Sequence, residues 1–230
     1  MNTKKLIVIA ATAALVCAAL AQGGGGQRRG GFGMNLGDPV TLLGREDVQK
    51  DLVVTDDEKA KIVDLTEKSN SKRQEAMQAA RDASNGDRAE MMKAMGPIME
   101  KLSAENWAAV GTVITADQVK RLKEISVQIQ GAAVVTTNKE VQGQLSITDD
   151  QKAKFADLRA RQQTAQQELF QKMQSGEIDR SQMPDIMKKN TQIMEDEINK
   201  ILTDAQKAKL KDLGGKHFER VDPPRPGGGR

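Results

Sequence analysis

The sequence predicts an all-α protein of two tandem units, each of about four helices, in which long antiparallel hairpins make an extended assembly. Three observations carry this. There is no tyrosine and one tryptophan, with four phenylalanines and eleven methionines, among 230 residues of which 29% are charged. That leaves few of the aromatic and β-branched clusters from which strands are built. One phrase recurs four times: TDDEKAKIVDL at 55–65, TADQVKRLKEI at 115–125, TDDQKAKFADL at 148–158 and TDAQKAKLKDL at 203–213. The apolar stripes that follow are lean. One reads Phe155, Leu158, Gln162, Ala165, Leu169, Met173, and its counterpart runs from Ile62 and Leu65 into Ser69, Lys72 and Ala76. Stripes that thin cannot bury a helix on several sides.

Each phrase begins with threonine and places Glu or Gln three residues later: Thr55/Glu58, Thr115/Gln118, Thr148/Gln151 and Thr203/Gln206. This is a capping box, in which the hydroxyl accepts from the N3 amide and the N3 side chain reaches back to the threonine amide. Asp56, Asp57, Asp117, Asp149, Asp150 and Asp204 put negative charge at the positive end of the helix dipole. Val54, Ile114, Ile147 and Leu202 precede the boxes. Residues 47–65 and 140–158 share 11 of 19 positions at an offset of 93, whereas the second boxes align at 88. The pattern reads as an internal duplication with a five-residue length difference inside the unit.

In chain order, residues 1–21 read as a secretory signal peptide. Lys4 and Lys5 precede an apolar run, and Ala19-Leu20-Ala21 offers cleavage before Gln22. A lipid anchor at Cys17 is the alternative, disfavoured by the bulky Val16 before it. Residues 22–37 are a glycine-rich linker expected to be disordered. Unit 1 spans 38–130. Asp38-Pro39 caps a short helix, a long helix runs over about 56–83 to a stop at Gly86, and a methionine-bearing helix follows. The fourth helix starts at Thr115, and Ser103 with Trp107 is expected to add a turn that explains the length difference. Unit 2 spans 131–219. Thr137/Glu140 reads as a further box, the long helix covers about 149–175 with a stop at Gly176, and the last helix starts at Thr203. Residues 220–230 are a Pro/Gly-rich tail expected to be disordered.

Signal cleavage would remove the only cysteine along with Lys4 and Lys5, so the 35 basic residues would become 33 against 32 acidic ones. A near-neutral exported chain without disulfides is expected, with no footprint for nucleic acid and no integral membrane segment after cleavage. Catalysis is not expected. The one histidine, His217, sits near the tail, and no nucleophile–base order or phosphate-binding glycine loop occurs. No cofactor is implied. One histidine cannot supply a zinc site. Met91, Met95 and Met99, one turn apart, have a spacing that suits a soft ion but serves more commonly as core filler.

At Ile114-Thr115-Ala116-Asp117-Gln118, Ile147-Thr148-Asp149-Asp150-Gln151 and Leu202-Thr203-Asp204-Ala205-Gln206, the chain resembles the periplasmic LTxxQ-motif family, the Spy/CpxP-like proteins. The first box departs, with Val54 and Glu58 in place of Leu and Gln. The resemblance covers about 40–218 and implies Spy-like units in a helical cradle located in the periplasm or secreted. Family members carry two boxes per chain and commonly dimerise, so two units in one chain imply a monomeric pseudo-dimer or a homodimer. Spy-like members bind unfolded proteins without ATP; CpxP-like members modulate an envelope-stress sensor, and other relatives are linked to metal resistance or sensing. The resemblance therefore implies an ATP-independent chaperone-like protein that binds unfolded or partner proteins, or alternatively a regulatory or metal-responsive envelope protein. Met91, Met95, Met99, Met183, Met187 and Met194 are the candidate client-binding residues, because flexible thioethers repack against varied apolar segments.

Overall fold

The computed structural model describes residues 37–85 and 87–221, and the expected signal peptide, most of the linker, Gly86 and residues 222–230 lie outside the described residues. The protein is all-α, with no strand among the described residues. The described residues divide into two compact units, one comprising 37–129 together with 214–221, the other 130–213.

The first unit opens with two short helices where the sequence suggested one. Helix α1 (Pro39–Leu43) is capped by Asp38, whose carboxylate accepts from the Thr41 amide, and has proline in its first turn. It closes at Gly44, and α2 (Glu46–Asp51) follows. Helix α3 (Asp56–Ala83) starts at the Thr55 box, and α4 covers Arg88–Val110. They form an antiparallel hairpin, with Ser69 hydrogen-bonded to Asn106 and Lys72 to Glu105 on either side of the connecting turn. Helix α5 (Ala116–Gln130) closes the unit.

A core of Val40, Leu42, Leu43, Val48, Leu122 and Ile125 lies among α1, α2 and α5, with Ile62 of α3 and Val110 of α4 joining it. Along α3 only Ile62, Ser69 and Ala80 are buried, so most of that long helix leans on one narrow face. Its stop lies at Asn85, which takes the left-handed conformation (φ 49°) one residue before the expected Gly86. Asparagine is the commonest substitute for glycine there. Ser103 and Trp107 lie within α4, which runs unbroken through Pro97. The five-residue difference is therefore the net of a longer α4 (23 residues against 19), a longer turn after Val110 and a longer α3 (28 against 26), offset by a shorter connection between α3 and α4, and not a separate added turn.

The second unit repeats the order. A 3₁₀ segment (Gly131–Thr136) precedes α6 (Lys139–Gln144), which lies 93 residues after α2. Its cap is Asn138, whose side chain accepts from the Val141 amide, and not Thr137. A shift by one residue leaves Glu140 at N2, so the Thr137/Glu140 box does not form. Helix α7 (Asp149–Gln174) ends at left-handed Gly176. A short 3₁₀ turn (Arg180–Gln182) leads into α8 (Met183–Ile201), and α9 covers Asp204–Leu213. Phe155, Leu158, Ala165 and Leu169 of α7 are buried, as are Met194 and Ile198 of α8. Removing a side chain such as Phe155 from water contributes about 2–3 kcal/mol.

Residues 214–219 were assigned by sequence to the second unit and 220 onward to a free tail. Residues 214–221 instead belong with the first unit, and Phe218 is a member of its core cluster. A single aromatic residue among Lys, His, Glu and Arg carries too weak a periodic signal to announce that docking.

Candidate functional site

All four boxes are closed. Thr55 and Thr148 accept from the amides of Glu58 and Gln151, whose side chains accept from the threonine amides in return. Thr115 pairs with Gln118 and Thr203 with Gln206 in the same way, at 2.7–3.3 Å. The preceding Val54, Ile114, Ile147 and Leu202 are all buried, seating each helix start on its core.

The boxes are also joined in pairs, which helix-start reasoning missed. In the second unit the amides of Gln151 and Gln206 hydrogen-bond reciprocally at 2.7 and 2.9 Å. Gln151 donates as well to the carbonyl of Ile201, and Gln206 to that of Leu145. Each glutamine uses its oxygen to cap its own helix and its nitrogen to tie that helix to the neighbouring one, so the amide meets both demands of the site. In the first unit Gln118 donates to Leu52 O at 3.1 Å and to Glu58 Oε2 at 3.3 Å. Glu58, a carboxylate, can only accept. The hydrogen bond donated by the Thr55 amide, with help from Gln118, holds its carboxyl below the usual glutamate range despite some opposing desolvation. The only signal in sequence was the identity of the N3 residue, and its second hydrogen bond depends on a partner 55 or 60 residues away.

The turn before the first box of each unit holds a left-handed residue at matching positions, Val53 and Ser146, both with φ 52°. For β-branched Val53, which is 79% exposed, this is a strained choice.

The candidate client-binding methionines divide. Met91, Met95 and Met99 of α4 and Met183 of α8 are half-buried, and Met187 is exposed. Met194 is buried within the stripe Asn190, Met194, Ile198. It is core and is withdrawn from the exposed set, because its place on α8 faces the unit's interior. Trp107 is half-buried against the first unit's core, with the Lys123 ammonium 5.8 Å from its ring centroid, within cation–π range.

No helix among the described residues is long and apolar enough to cross a membrane, and no three His, Cys, Asp or Glu side chains converge there in a way that could hold a metal ion. Compared with known proteins, the chain finds no matching family model, curated sequence or solved structure.

Proposed function

We propose that this is an exported, ATP-independent, chaperone-like protein of the LTxxQ (Spy/CpxP-like) type, whose two units offer methionine-bearing helix faces to unfolded or partner proteins in the periplasm. It acts by binding and not by catalysis. One observation carries the reading: along α4 and α8 the methionines Met91, Met95, Met99, Met183 and Met187 keep part of their surface in water. Apolar side chains left open on lean helices cost solvation unless another surface covers them, and methionine adapts to covers of different shape.

The test is aggregation of an unrelated denatured protein in nucleotide-free buffer. Suppression at substoichiometric ratios is expected. Replacing Met91, Met95, Met99 and Met187 together by glutamine should abolish it while leaving the far-UV circular dichroism unchanged. An unchanged aggregation curve with equimolar wild-type protein rejects the chaperone reading and leaves the regulatory or metal-responsive role.

A further inference from the structure

The segment 214–221 lies on α2 and α5 in a way that resembles a bound peptide more than a chain end. We infer that this surface is a peptide-binding groove, filled in cis by the chain's own 214–221 segment and able to take in exchange a segment of another polypeptide carrying a phenylalanine-sized side chain.

The groove reads main chain. Gln128 spans two residues, its Nε2 donating to Lys216 O at 2.7 Å and its Oε1 accepting from Phe218 N at 2.8 Å. Its Nε2 also reaches Gly214 O. Arg121 Nη1 donates to Lys216 O at 2.7 Å. Further along, Asp47 Oδ2 accepts from Val221 N at 3.0 Å, and Arg45 Nη2 donates to Val221 O at 3.3 Å. These bonds are made to main-chain groups, which every residue supplies, and carry no side-chain preference of their own.

The receptor side chains are held in place by the first unit itself. Arg121 is fixed by a bidentate pair with Asp51 at 2.6 and 3.0 Å and by Glu124 at 3.0 Å. Arg45 is fixed by Asp47. A site whose donors are already oriented loses little entropy on filling.

Side-chain recognition is concentrated at one position. Phe218 is 5% exposed and sits in the core cluster, whereas Lys216, His217, Glu219 and Arg220 are exposed. One aromatic anchor with main-chain pairing on both sides specifies a single large apolar residue, while the Lys216 ammonium adds a favourable charge beside Asp51. The tail enters through Gly215, whose backbone is left-handed (φ +61°) and whose missing side chain leaves room for Glu124: a Cβ there would stand 2.3 Å from Glu124 Oε2. Glycine at this point lets the tail lie down without altering the groove.

A covalently attached occupant competes at an effective concentration of millimolar order, which weakens an incoming peptide by about 10²–10⁴-fold. Displacement is therefore the measurable quantity. The probe is a labelled, end-capped peptide of residues 214–221, followed by fluorescence polarisation against the full chain and two variants. Gly215→Val disfavours the docked tail and leaves every groove residue intact; Phe218→Ala removes the anchor. Both variants are expected to bind the peptide at least tenfold more tightly than wild type. The peptide with alanine at the phenylalanine position should lose at least tenfold. A peptide keeping that phenylalanine, Lys216 and Arg220, with His217 and Glu219 replaced by glutamine and serine, should stay within about threefold.

Equal, weak binding by wild type and a folded Gly215→Val chain overturns the proposal, and Gly215→Val carries the test if Phe218→Ala fails to fold. Loss of binding on changing His217 and Glu219 overturns the claim that main chain is what is read there. Dimerisation of Gly215→Val in place of peptide uptake overturns it too, since the groove would then serve only a second copy's tail. The groove's main-chain contacts come from Arg45, Asp47, Arg121 and Gln128, none of them a methionine replaced in the aggregation assay, so the two tests succeed or fail separately.

Discussion

The two units have the same order of elements and the same pair of closed boxes, yet their interiors differ in chemistry. In the first, Asp38, Ser69 and Asn106 form a buried polar cluster: Asn106 donates to Asp38 Oδ1 at 2.6 Å and to Ser69 Oγ at 3.0 Å. Thr41 and Arg73 share the other carboxylate oxygen. Counted from their boxes, the matching positions in the second unit are Gly131, Gln162 and Met194. Gly131 adopts a left-handed turn, and Met194 is buried as an apolar side chain. The first unit pins its opening helix to the long hairpin with one amide hydrogen bond from Asn106 and an ion pair from Arg73, and the second fills the Asn106 position with thioether. The comparison teaches that the boxes fix where helices begin and meet, while the contents of the seam between them can change.

The largest expected effect breaks that comparison at Asn106. Asn106→Leu carries the second unit's apolar choice into the first without its other substitutions and takes the amide partner from Oδ1 of Asp38, which is 4% exposed. A loss on the order of 2–3 kcal/mol is expected in urea unfolding. The reverse change, Met194→Asn, replaces a buried thioether between Asn190 and Ile198 with an amide and should cost a similar amount. A cost below 0.5 kcal/mol for Asn106→Leu, roughly what an exposed substitution gives, would show that the cluster is dispensable.

Next comes the staple. Gln151→Ala removes the cap's return bond, the Ile201 carbonyl's partner and the amide pair with Gln206, for a loss of about 2 kcal/mol. Hydrogen exchange should show α7 and α9 losing protection at their starts together. Loss confined to α7 would mean that the boxes act singly.

Smaller and opposite in sign is Val53→Asn. Asparagine tolerates the left-handed backbone that strains valine, so the melting temperature should rise by an amount equivalent to about 1 kcal/mol. An unchanged or lower value would deny the strain.

The smallest effect sharpens the contrast between a carboxylate and an amide staple. Glu58 has its folded pKa below the unfolded value, so its contribution is present above the ordinary glutamate range and is lost as pH falls through the depressed folded value. Glu58→Gln should flatten the acid side of the first unit's stability profile and leave stability at pH 7 nearly unchanged. Parallel acid limbs for wild type and variant would exclude a role for this carboxyl.

Much of this was legible in the letters. Threonine with Glu or Gln three residues on, Asp in the first turn and an apolar residue before the cap are local instructions, and α3, α5, α7 and α9 start where those instructions stand. Local signals failed where two neighbours compete, as Thr137 and Asn138 do for one cap, or where either Asn85 or Gly86 can stop a helix. The methionines show the same limit. Spacing placed all six on helices, but which of them turns inward depends on what packs opposite, and Met194 turned inward.

The helical class, the four box-started helices and the lean faces follow from the letters alone, because capping and periodicity are satisfied within about two turns of chain. Tertiary structure alone decided that boxes pair through their N3 side chains, that Asp38 meets Asn106 68 residues away, and that the tail returns to lay Phe218 in the first unit's core. Those contacts join residues far apart in sequence. Whether such groups meet depends on the closure entropy and packing of everything between them, which no local pattern encodes.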